Sequence, residues 1–211
     1  LGYVKSEEPF KRLVHQGVIT NKGAKMSKSK GNVVSPDAFV EKYGSDVFRM
    51  YLMFMGPFTQ GGDWSDTGIK GVSRFVQRIW RVFEDQLGKV KQDSADVTRK
   101  VHSTIKKVGE DIERLHFNTA LAALMELFNV LERSTGITKA TGQVCARLIA
   151  PLAPHLAEEM WALTGGKGFV IDQPWPSYDK HYLVSDTVTY AIQVNGKLRG
   201  TITVATDASE A

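Results

Sequence analysis

Five residues, Lys25-Met26-Ser27-Lys28-Ser29, run directly into Lys30-Gly31-Asn32 and carry the densest chemistry in the chain. Three ammonium groups, two hydroxyls and a glycine fall within eight residues. Lysine is a point charge on a flexible stem, and a cluster of this kind is suited to holding a polyphosphate. A solvated basic loop is the plainer alternative. A second candidate set lies on the amphipathic stretch Ile69–Leu87. At about 100° per residue, Lys70, Arg74, Arg78 and Arg81 form one stripe opposite the apolar residues. That stripe is either a solvated helix face or a surface for an anionic partner such as RNA phosphates.

Nothing in the sequence assembles a metal site. His15, His102, His116, His155 and His181 are scattered, and the single Cys145 excludes an internal disulfide and any multi-cysteine zinc cluster. A reducing, cytoplasmic setting is the simplest reading. Other eye-catching residues read as structure. His155 follows Pro154 at a helix start, and Glu158-Glu159 suit first-turn positions that complement a helix dipole. Trp80, Trp161, Trp175 and Cys145 read as core or seam.

The elements that must position these residues follow from composition and periodicity. The chain has 211 residues, 42% of them apolar and 24% charged, values ordinary for a globular protein. No apolar run approaches the roughly 20 residues that cross a bilayer. The net charge of +4 is a modest excess, but residues 1–32 hold seven Lys/Arg against two Glu, so the positive end coincides with the lysine loop.

Residues 9–20 read as a short amphipathic helix closed by Gly17 and followed by an extended piece. Ser35-Pro36-Asp37 starts a helix with a capping hydroxyl, Gly44 closes it, and Ser45 or Asp46 caps a second. Residues 56–68 read as an irregular loop. Four longer helical patterns follow: Ile69–Leu87, Val97–Leu115, one capped by Asn118, and Thr141–Leu163, which Pro151 and Pro154 must kink or split. Each is apolar on one side, so a bundle is expected. After a Gly- and Pro-rich connection, alternating residues around Asn195-Gly196 mark a β-hairpin. A three-residue loop, Val194-Asn195-Gly196, with Gly196 left-handed, sets Ile192 opposite Leu198 and gathers the apolar residues on one face. The final residues, 206–211, have the composition of a helix start, so the chain is expected to end inside a small domain.

The lysine loop resembles the KMSKS signature of class I aminoacyl-tRNA synthetases at all five positions, with agreement at Gly31-Asn32, Pro36-Asp37, Tyr43-Gly44-Ser45-Asp46 and Arg49. The likeness narrows to the leucyl branch. It is carried by Glu8-Pro9-Phe10-Lys11, Arg74-Phe75, Arg78-Ile79-Trp80, Phe117-Asn118-Thr119-Ala120, Ala153-Pro154-His155-Leu156 and Trp175-Pro176. Gln193-Val194-Asn195-Gly196-Lys197-Leu198-Arg199-Gly200 favours leucyl over the isoleucyl, valyl and methionyl enzymes that share the loop. A related class I enzyme, or a non-catalytic RNA-binding module, is the alternative.

The resemblance implies a mainly α chain. Residues 1–35 would end a catalytic domain, 36–68 would be connecting helices, and 69–172 an anticodon-binding bundle. Residues 173–186 would be a linker, and 187–211 the start of a small C-terminal domain. It further implies an ATP-dependent ligase that joins leucine to tRNA(Leu), acting as a monomer without a membrane. Lys28 and Lys25 become the catalytic phosphate ligands. Met26 anchors the loop, Ser27 and Ser29 bind ATP, and Lys70, Arg74, Arg78 and Arg81 bind RNA. ATP, with Mg2+, is a substrate of the full-length enzyme, and no metal is expected on this fragment. The family's His-x-Gly-His motif and editing domain are absent from the sequence, so the fragment alone is expected to be inactive.

Overall fold

β-branched Val18, Ile19 and Thr20 favour extended backbone, and in the computed structural model they form β1 (Val18–Asn21). The structure describes residues 2–5, 7, 8, 10–183, 187–194 and 196–205. β1 turns through Lys22-Gly23 into β2 (Ala24–Lys25), both turn residues having positive φ, 55° and 73°, as a two-residue type I′ turn requires. On its other side β1 pairs in parallel with β3 (Gly61–Trp64).

This sheet replaces two sequence expectations. No helix forms in the described part of residues 9–20, and the supposed irregular loop contains β3. The reason is a non-local pairing. Gly17 N–H donates to Phe58 O at 2.7 Å, and the Gly17 backbone lies so close to Gly61 that a Cβ has no room. Phe10 and Leu13, which a helix would have grouped, stay 82% and 91% exposed.

Pro36 at a first position and Gly44 with φ 85° bound α1 (Pro36–Tyr43), as expected. The Ser35 hydroxyl, however, donates to Asp37 Oδ2 and caps no N–H. In α2 (Ser45–Phe54) the cap position is Gly44, and the Asp46 carboxylate accepts from the distant Leu156 N–H instead of capping its own helix. Trp64, at the end of β3, stacks edge-on against Phe39 of α1 at 4.7 Å and Tyr51 of α2 at 5.1 Å. The Tyr51 hydroxyl both accepts from Ser65 N–H and donates to Ser65 O, each at 2.9 Å. Burial raises its pKa above the usual tyrosine value. The small sheet is thereby joined to both short helices.

The bundle comprises α3 (Gly68–Gln86), α4 (Ala95–Glu113), α5 (Phe117–Arg133), α6 (Lys139–Ile149) and α7 (Pro154–Leu163). The expected apolar faces are inside: Ile69, Phe75 and Ile79 of α3, Val101 and Ile105 of α4, and Leu121, Leu124 and Phe128 of α5 are all buried. Pro151 and Pro154 split the last pattern into two helices. Two caps were not foreseen. Ser94 Oγ accepts from Val97 N–H to start α4, and Thr138 Oγ1 accepts from Thr141 N–H to start α6. Asn118 is not the cap of α5. Leu115 takes a left-handed φ of 61°, His116 N–H donates to Asp111 O, and the helix begins at Phe117.

Glu158 is not in the first turn of α7 either. Its carboxylate accepts the Val170 N–H at 3.0 and 3.1 Å and fastens the following connection. Cys145 and Trp161 are buried as expected and Trp80 is half-buried, whereas Trp175 is 42% exposed. The connection crosses the bundle surface, where Asp179 N–H donates to His102 Nδ1 and Pro174 O accepts from Arg147.

β4 (Thr187–Val194) and β5 (Lys197–Ala205) form the hairpin. Val194 pairs with Lys197, leaving two residues between the strands rather than three. The register then shifts between Ile192 and Gln193, which makes Arg199 the extra residue of a bulge. The bulge, and not the turn, brings Tyr190 opposite Ile202 and Val188 opposite Val204. Gly196 is left-handed, with φ 74°. Asn195 and the expected helix start at 206–211 lie outside the described residues.

Candidate functional site

The lysine loop leaves β2 at Lys25 and closes on itself seven residues later, at Asn32. Ser27 is extended, Lys28–Lys30 make one 3-10 turn, and Gly31, with φ 62°, returns its N–H to Lys28 O at 3.1 Å. Asn32 closes the ring. Ser27 N–H donates to Asn32 Oδ1 at 2.8 Å, and Asn32 Nδ2 donates to Lys25 O at 3.2 Å. Asn21 Nδ2, at the end of β1, donates to Asn32 O at 3.0 Å. A side-chain amide suits this position because it donates and accepts at once. Met26 is partly buried and packs against the apolar core, so the loop has one apolar foot.

Lys25, Lys28 and Lys30 are exposed, and no ion pair engages them among the described residues. The Ser27 and Ser29 hydroxyls lie 2.7 Å apart. The base of the loop is held by Asp63 of β3, whose Oδ1 accepts from the Thr20 hydroxyl at 2.6 Å and from Gly23 N–H at 2.9 Å. The Thr20 and Gly23 hydrogen bonds hold the Asp63 carboxyl below its usual pKa. The structure thus brings the five motif residues into one loop, from the end of β2 to the 3-10 turn, and adds Asn21, Asn32, Thr20 and Asp63 as its frame. Asn32 stood beside the motif without a role. Nothing local in the sequence marks Asp63, because its partners come through the β1–β3 pairing.

On α3 the basic stripe is only partly free. Lys70, Arg74 and Arg81 are exposed. Arg78 is half-buried, donates to Asn129 Oδ1 at 2.6 Å and to Met125 O at 3.4 Å, and lies over the Phe75 ring at 5.3 Å. Helical geometry gives the reason. Arg78 is the stripe member turned furthest toward buried Val82, about 40° away, so it ties α3 to α5. Among the described residues no group of three or more His, Cys, Asp or Glu is placed to hold a metal ion, and no helix is long and apolar enough to cross a membrane.

Residues 95–211 match the family model described as the anticodon-binding domain of tRNA ligase, and residues 3–65 match the model of class I tRNA synthetases (I, L, M and V). The chain is 45% identical, over its whole length, to the leucine–tRNA ligases of Fervidobacterium nodosum and Thermotoga maritima, and covers 28% of each. Among solved structures it is similar to LeuRS of Agrobacterium radiobacter in a ternary complex with tRNA and LeuAMS. There the identity is 32% and the TM-score 0.77, over 99% of this chain and 30% of that one. Methionyl-tRNA synthetase of Mycobacterium tuberculosis shares the fold, with 21% identity and a TM-score of 0.54 over 69% of this chain and 36% of that one. The chain therefore spans little more than a quarter of the length of the curated relatives it matches.

Proposed function

Because the chain belongs to the tRNA ligase family that carries this anticodon-binding domain, we propose that it is part of an ATP-dependent leucine–tRNA ligase. Residues 1–35 would close the catalytic domain, 36–68 would connect, and 69–172 would bind tRNA(Leu). Residues 173–186 would lead into a small C-terminal domain that starts at 187. The observation that carries the reading is the Asn32-closed loop, which holds Lys25 and Lys28 exposed and, among the described residues, without an acidic partner.

In this reaction a leucine carboxylate oxygen attacks the α-phosphate of ATP. The bond from that phosphorus to the bridging oxygen breaks, and pyrophosphate leaves with the charge. Lys28, at the start of the 3-10 turn, and Lys25, at the strand end, would meet that developing charge. Ser27 and Ser29 hydroxyls would donate to phosphate oxygens, and Mg2+ would arrive with ATP. Transfer of leucine to a tRNA hydroxyl then releases AMP. The exposed Lys70, Arg74 and Arg81 would contact RNA phosphates. The cytoplasm supplies all three substrates, and a single subunit is sufficient.

The test is amino-acid-dependent ATP–pyrophosphate exchange by the full-length protein. Leucine is expected to support exchange well above isoleucine, valine and methionine. Exchange best supported by one of those three would move the chain to another branch of class I. No exchange with any of the four would leave a binding module.

A further inference from the structure

α7 begins without a local cap. Pro154 at its first position has no N–H, and Ala153 before it has no side-chain acceptor. The Leu156 N–H is met instead from another helix, by Asp46 Oδ2 of α2 at 2.7 Å. Asp46 Oδ1 lies 2.9 Å from His155 Nδ1. One turn further along α2, the Arg49 guanidinium donates to Pro151 O at 3.3 Å, just beyond the C-terminal end of α6. The signs match the helix fields, a carboxylate at the positive N-terminus of α7 and a guanidinium at the negative end of α6.

α2 is also fixed on its other side. Tyr51 holds both backbone polar groups of Ser65, and the Trp64 ring lies against Tyr51 and Phe39. Through β3 and Asp63 this connects to the turn at the base of the lysine loop. Val47, Met50 and Tyr51 bury apolar surface against the bundle, but apolar attraction is non-directional. Hydrogen bonds at two separate helix ends do fix an angle.

We propose that Asp46 and Arg49 are positioning residues that set the bundle in register with the lysine loop, so that an RNA held by the bundle presents its reacting end to the adenylate formed beside that loop. The proposal rests on the leucine–tRNA ligase reading, since register matters only when RNA must meet an adenylate held at the loop. Neither residue touches a substrate. Each acts through the α6–α7 connection.

The experiment compares Asp46→Ala with Asp46→Asn in the full-length protein. Asparagine keeps an acceptor for Leu156 N–H and places an amide beside His155 Nδ1. Misplacement of reacting groups by about an ångström costs up to roughly 100-fold. The alanine variant is therefore expected to lower kcat for tRNA charging by about 10- to 100-fold. KM for leucine and exchange measured without tRNA should not change, and the asparagine variant should recover most of the charging rate. Arg49→Met should shift charging in the same direction if Asp46→Ala folds poorly. Exchange and charging falling together, or charging unaffected by both substitutions, overturns the proposal. Hydrogen exchange at the Leu156 amide gives a reading independent of activity. It should quicken in Asp46→Ala and slow again in Asp46→Asn, and unchanged protection overturns the tie. If the wild-type protein shows no leucine-dependent exchange, the functional reading fails instead, and the amide measurement still decides whether Asp46 caps α7.

Discussion

Between residues 25 and 32 no side chain is buried, and three hydrogen bonds through Asn32 hold the backbone. In α5, by contrast, Leu121, Leu124, Leu127, Phe128 and Leu131 are fully enclosed, with Phe128 edge-on to Phe75 of α3 at 5.9 Å. A hydrogen bond of the first kind contributes about 0.5–1.5 kcal/mol net, while burying a large apolar side chain contributes about 1.5–3 kcal/mol. The loop therefore has a defined shape at low stability, which lets it adjust to phosphate. The bundle has a fixed shape because altering it leaves cavities. Function and stability should separate cleanly between the two regions.

That separation is open to a direct attack. Phe128→Ala should destabilise the chain by about 3–5 kcal/mol through a core cavity, read as a lowered denaturation midpoint. Lys28→Ala should leave the midpoint where it is, since the side chain is exposed and makes no ion pair among the described residues. In the full-length protein it should lower the rate of leucine-dependent pyrophosphate exchange by about 100- to 1000-fold, with leucine KM unchanged. A Lys28 variant that unfolds easily, or one with near-normal exchange, breaks the comparison.

The bundle and the loop were also unequally legible in the sequence. The bundle was readable because period-3.6 burial is local: the faces of α3, α4 and α5 follow from their own residues. The Lys25–Ser29 motif was readable as chemistry, but its frame was not. Asp63 reaches Thr20 and Gly23 only because β1 pairs with β3, and the same non-local pairing draws out the residues around Gly17 that local pattern assigned to a helix. Asp46 likewise looked like the cap of its own helix and serves α7 instead. In the hairpin, the demand that apolar residues share a face was right. The extra residue it required could sit anywhere along the ribbon, and it sits at Arg199 rather than in the turn.

Arg78 sharpens the comparison, because it joins a surface expected to bind RNA to the interior that binds helices. Its bonds to Asn129 and Met125 predict that Arg78→Ala costs about 1.5–3 kcal/mol of stability. Exposed Arg74 and Arg81 should behave differently. Their joint replacement by Glu should change stability by no more than about 0.5 kcal/mol, while weakening tRNA binding and flattening its dependence on salt. Binding that is indifferent to Arg74 and Arg81 would make the stripe a solvated face. Stability that is indifferent to Arg78 would return it to the stripe.

Cys145 allows the smallest effect to be read from inside the bundle. The thiol is fully enclosed, and burial, with the Asp93 charge adding to it, pushes its pKa from 9.0 to about 12. The raised value means that the folded chain keeps its proton while the unfolded chain loses it above pH 9. Below that point ionisation of the thiol has no effect on stability. As pH rises from 9 toward 12 the unfolded state is favoured progressively, so the denaturation midpoint should drift downward. A Cys145→Ala variant corrects for other titrations: it should start slightly less stable and lose less stability over the same interval. Thiol reagents give the kinetic counterpart. At pH 8 labelling should proceed only through unfolding and should quicken in Phe128→Ala, but not in Lys28→Ala. If loop substitutions also open Cys145 to reagent, the two regions unfold as one unit and the division between them fails.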